Sequence, residues 1–77
     1  MTLLEIAQVY TDLVNSESLI PDNEHCAKDQ MNALRSKYHD LLMEKMREEK
    51  VFYADRFDAT RIAFELVKER IVVNDKN

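Results

Sequence analysis

The sequence predicts an all-α fold: a small three-helix bundle of a short first helix, a long second helix and a third helix. Three observations carry this expectation. The 77 residues contain no glycine and a single proline, so tight hairpin turns and phosphate-cradling loops lack the residue they lean on for positive φ. Apolar residues recur at three- and four-residue steps and do not alternate. The polar stretches between these runs are short. One domain spanning residues 1–77 is expected, of a size at which a single core is marginal without a partner, a metal or disulfides.

The first helix is expected over about residues 3–15. Thr2 and Glu5 have capping-box spacing, a hydroxyl acceptor with a carboxylate three residues on. Leu3, Ile6, Ala7, Tyr10, Leu13 and Val14 then form one apolar stripe. Asn15-Ser16-Glu17-Ser18 reads as a stop, and Pro21 disfavours helix at Ile20, which places a loop at about 16–21. The second helix is expected over about 22–50, capped by Asp22 or Asn23 with Glu24 in its first turn. Its stripe is Ala27, Met31, Leu34, Tyr38, Leu41 and Leu42, ending near Met46, an arc of only about 100° on a helical wheel.

At Val51-Phe52-Tyr53-Ala54 the phase of that stripe breaks, because Lys45 and Glu49 fall where apolar residues are due. A turn is favoured here, with a third helix over about 55–73; the alternative is that helices 2 and 3 are continuous with a shift of face. A continuous helix of about 50 residues would leave helix 1 covering less than half of it. In the third helix Ala59, Ile62, Ala63, Leu66, Val67 and Val73 share a face, and Phe57, Phe64 and Ile71 add a second column at seven-residue spacing. Together they sweep about 220°, twice the arc of an ordinary surface helix. Oligomerisation through this third helix is the expectation that follows. Arg70, near the middle of the same arc, needs a carboxylate if buried or snorkels at the helix end.

Composition narrows the function. A net charge of −4 with both signs well represented argues against binding a nucleic-acid backbone, which wants a concentrated basic face. One cysteine, Cys26, excludes an internal disulfide and points to a reducing, cytoplasmic setting. No stretch reads as a signal peptide or membrane span.

No catalytic, cofactor or metal site is expected. His25 and Cys26 are neighbours, and neighbours on a helix point about 100° apart, so they form no dyad. His25, Cys26 and Asp29 fall short of the four ligands a structural zinc needs. What remains is a non-enzymatic protein–protein interaction module, an accessory regulator or inhibitor acting as a homo-oligomer with a further unidentified protein partner. The candidate interface is Phe52, Tyr53, Phe57, Phe64, Val67 and Ile71, with Met43 and Met46 as a second edge of adaptable thioethers. The alternative is a regulator contacting nucleic acid, or a nucleic-acid enzyme, through Arg56, Arg61 and the neighbouring aromatics.

Overall fold

The computed structural model describes residues 1–76, with side chains through Glu69. It is all-α, with helices α1 (Leu3–Ser18), α2 (His25–Glu48) and α3 (Arg56–Lys76) packing against one another. The central helix is α1, which packs against both others, while α2 and α3 touch each other least. α1 and α2 run antiparallel. Glu17 near the end of α1 pairs with Arg35 in the first half of α2, and Tyr10 in mid-α1 meets His39 further along.

The capping box forms as its spacing implies. Thr2 Oγ1 accepts the Glu5 N–H at 3.1 Å, and Glu5 Oε1 accepts the Thr2 N–H at 2.8 Å. Leu3, Ile6, Ala7 and Tyr10 are buried, together with Thr11, whose hydroxyl is satisfied by the Gln8 carbonyl. The expected end near residue 15 is corrected, because α1 continues to Ser18. Nothing in Asn15-Ser16-Glu17 breaks helix, and the Ser18 hydroxyl bonds back to the Asn15 carbonyl at 2.6 Å. The expected start of α2 at residue 22 also moves, to His25. Residues 21–24 close a turn of their own through Glu24 N–H to the Pro21 carbonyl at 3.1 Å. Asp22 does not cap the helix; its carboxylate pairs with Lys28.

The face of α2 differs from the stripe read off the wheel. Its buried residues are His39, Leu42 and Met46, whereas Leu34 and Leu41 stand 43% and 36% exposed. The inward face is turned by roughly 80° from the centre of that stripe, toward the row Arg35–His39–Leu42–Met46, with Leu42 common to both. α1 supplies the reason: Tyr10 stacks on His39 with ring centroids 5.1 Å apart, and Glu17 takes Arg35 at 2.5 Å. Partners waiting on α1 make two polar residues cheaper to bury than the pattern of apolar letters suggests.

The chain turns between α2 and α3; the two are not continuous. Glycine is not needed because Lys50 itself adopts φ 59. Val51 N–H bonds the Met46 carbonyl at 2.8 Å and Lys50 N–H bonds the Arg47 carbonyl at 3.2 Å, the paired reverse bonds of a Schellman motif. Val51 packs on the core that contains Met46, the apolar contact that accompanies this cap. Ala59 and Ala63 of α3 are fully buried, with Ile62, Leu66 and Val67 packed half-buried beside them. Arg70, Ile71 and Val73 lie outside the described side chains.

Candidate protein-interaction face

The connection between α2 and α3 is short, extended and held at both ends. The Schellman motif fixes its start. At its end Asp55 Oδ1 accepts the Asp58 N–H at 2.8 Å, capping α3, and Asp58 Oδ2 accepts the Ala54 N–H at 2.9 Å. These bonds, first the one from Ala54 and then the one from Arg61, hold the Asp58 carboxyl below its ordinary value. In an extended segment successive side chains point to opposite sides. Val51 and Tyr53 accordingly turn toward the core and Phe52 turns out, 84% exposed. The Tyr53 hydroxyl accepts from Arg47 at 2.6 Å, and Arg47, Lys50, Val51, Phe52 and Tyr53 line an open groove of about 440 Å³.

At the second residue of α3, Phe57 is 79% exposed at the edge of a second cleft of about 320 Å³. A polar network knits its floor. The His39 ring is buried, and its Nε2 lies 3.1 Å from the Arg56 carbonyl, which can only accept. Nε2 therefore carries the proton, and Nδ1 is free to accept from the Arg56 guanidinium at 3.2 Å. The Thr60 hydroxyl donates to the same carbonyl at 3.2 Å, so it accepts from the Tyr10 hydroxyl at 3.0 Å. Three helices meet in this network. Burial pushes the His39 pKa down, and the Arg56 and Arg35 charges push the same way, against the carbonyl bond and Asp40.

The site residues expected from sequence separate into two groups. Phe52 and Phe57 are exposed, and Phe64 is exposed at 37%, lining a third groove with Thr11, Asp12 and Val67 of the facing surfaces. Tyr53 and Val67 are half-buried against the core and touch these grooves only with part of their surface. Met46 is a correction: it is fully buried and belongs to the core, because the rotation of α2 carries its row inward. Met43 packs half-buried against the same core and forms no exposed edge with it. Ile71 lies outside the described side chains. Of the two arginines, Arg61 is held between Asp58 at 2.7 Å and Glu65 at 2.9 Å, whereas the Arg56 guanidinium bonds His39 and has no carboxylate partner among the described residues.

Sequence reasoning missed His39, and it placed Leu34 on the buried stripe where the structure leaves it exposed. The signal for His39 was the 35–39–42–46 row, whose spacing is as helical as that of the apolar stripe beside it. Cys26 is exposed at the start of α2. No group of three or more His, Cys, Asp or Glu that could hold a metal ion occurs among the described residues. No buried side-chain nitrogen or oxygen among them lacks a partner, and no helix is long and apolar enough to cross a membrane. No protein-family model matches the chain, and neither does any curated protein or solved structure.

Proposed function

We propose that this chain is a non-enzymatic protein–protein interaction module that presents the α2–α3 connection and the outer side of α3, and that it self-associates there. The observation that carries this reading is the pair Phe52 and Phe57, 84% and 79% exposed on a backbone pinned by caps at both ends. Two bare phenyl rings on a fixed backbone cost little conformational entropy to bury in an interface. Covering them is worth about 1.5–3 kcal/mol each. Phe64 extends the same apolar column along α3. The free thiol of Cys26 supports a reducing, cytoplasmic setting.

Light scattering over a concentration series tests it. The expected result is a mass above the 9.1 kDa of one chain by ~100 μM, a concentration at which association of about −6 kcal/mol becomes visible. A strict monomer that binds no apolar dye would remove the basis for the proposal. One feature favours a second reading, a regulator contacting nucleic acid: Arg56 has no carboxylate partner among the described residues. Arg61 lends that reading little, being neutralised by Asp58 and Glu65. Salt-dependent binding to short DNA or RNA at low salt would select it.

A further inference from the structure

We infer that the cleft between Tyr10, Arg35, Arg56 and Phe57 is a docking site for an acidic segment of a partner protein, a carboxylate flanked by an apolar side chain. This rests on the interaction-module reading and names the chemistry of the partner. The charge count of the cleft comes first. Two guanidiniums, Arg35 and Arg56, and one carboxylate, Glu17, line it. Glu17 is bonded to Arg35 Nε at 2.5 Å, so the positive charge left over is that of Arg56.

Arg56 is also prepared for a ligand. One of its terminal nitrogens donates to His39 Nδ1, which tethers one end of the guanidinium and leaves its remaining N–H groups with no carboxylate among the described residues. Two of the neighbouring acids are engaged elsewhere, and a third, Asp40, acts on the His39 ring against the two arginines. Asp55 accepts from the Asp58 N–H, and Asp58 from the Ala54 N–H and Arg61. Arg61, five residues on and flanked by its own carboxylates, shows what a satisfied arginine looks like on the same helix. A guanidinium already oriented by a neutral imidazole loses less freedom on gripping a carboxylate, and the fork geometry matches one.

The rest of the cleft is apolar. Phe57 stands over one edge, and half-buried Val14 lies along the other side. A carboxylate at Arg56 therefore brings the adjoining side chain of its segment against a phenyl ring and a valine, which suits Leu, Ile or Phe. A basic segment meets the uncompensated Arg56 guanidinium instead.

Panning a random 12-residue peptide library on phage against the full chain tests this without assuming a sequence. The expected result is enrichment of Asp or Glu next to Leu, Ile or Phe. A selected peptide should weaken at least about tenfold when its acid is replaced by the amide, and about as much on the variant Arg56→Gln. Arg56→Lys, keeping the charge without the fork, should fall between. Each variant is first checked for an unchanged melting temperature; if Arg56→Gln does not fold, the acid-to-amide comparison on the native chain decides alone. Enriched apolar peptides with no acidic preference, lost on Phe57→Ala but not on Arg56→Gln, would overturn the inference while leaving an interaction module. Selection of no peptide at all would overturn the inference, while light scattering decides the self-association separately.

Discussion

Replacing Met46 by alanine separates core from surface most sharply in this chain. Met46 is fully enclosed and is one of the two largest side chains with essentially no exposure, the other being Leu42. The substitution removes the thioether and two flanking carbons. At about 0.8 kcal/mol per buried methylene-sized group the transfer cost is ~2.4 kcal/mol. A cavity that the three helices close only partly brings the total to about 3–4 kcal/mol, inside the usual range for such a deletion. A domain of this length has only ~4–12 kcal/mol to lose. The melting temperature should therefore fall by at least about 12 °C, taking 4–8 °C per kcal/mol. Phe52→Ala deletes a larger side chain that touches mostly solvent and should stay within about 0.5 kcal/mol. Urea unfolding followed by circular dichroism at low protein concentration measures both. A Met46→Ala loss below ~1 kcal/mol, or a Phe52→Ala loss above ~2 kcal/mol, would refute the assignment of inside and outside.

Acid should loosen the network at His39. Its folded pKa lies below the 6.5 of a free imidazole, chiefly because the ring is buried. The unfolded state then binds the proton more readily, so stability is full above about pH 6.5–7 and declines as the pH falls below that value. Thermal melts from pH 8 to 5 should show the decline, and His39→Gln should flatten it; an unchanged slope in the variant assigns the effect elsewhere. Lys50→Gly relieves a left-handed residue with a Cβ, a gain of ~1–2 kcal/mol offset by glycine's extra unfolded entropy, for a net rise of about 0.5–1 kcal/mol. A drop in melting temperature would show that the Lys50 side chain makes a contribution of its own. Asp55→Ala removes the cap of α3 and should cost about 1 kcal/mol. Asp55→Asn, which keeps an acceptor, should recover most of that; equal losses in the two variants would deny the cap its role.

How far the sequence reads depends on whether a signal is local. The Thr2–Glu5 box, the apolar stripe of α1 and the start of α3 at Asp55 each sit within four residues of their own cause, and each forms as expected. The turn before α3 is legible as a break in phase, though its mechanism, a lysine in the left-handed region, has no letter to announce it. The orientation of α2 is different in kind. Two rows, one headed by Leu34 and Leu41 and one by Arg35 and His39, have equal helical spacing. Apolarity alone prefers the first. The second wins because α1 carries Tyr10 and Glu17 at matching heights, information that lies 18 or more residues away along the chain. The same rotation moved Met46 from a presumed edge into the core. Exposure of Phe57 follows from which helix is central. With α1 in the middle and α2 and α3 touching each other least, an apolar arc of that breadth keeps part of itself in solvent.

The central claim is that Phe52 and Phe57 serve contact between molecules and not the fold. Urea midpoints at ~2 and ~200 μM protein, for the native chain and for the double variant Phe52→Ala/Phe57→Ala, test it in one measurement. Self-association of the folded state makes the midpoint rise with concentration. The prediction is a rise of the native midpoint toward higher urea at the higher concentration, with the variant fixed at the native value found at low concentration. A native midpoint that does not move with concentration, or a variant already less stable at ~2 μM, would contradict it.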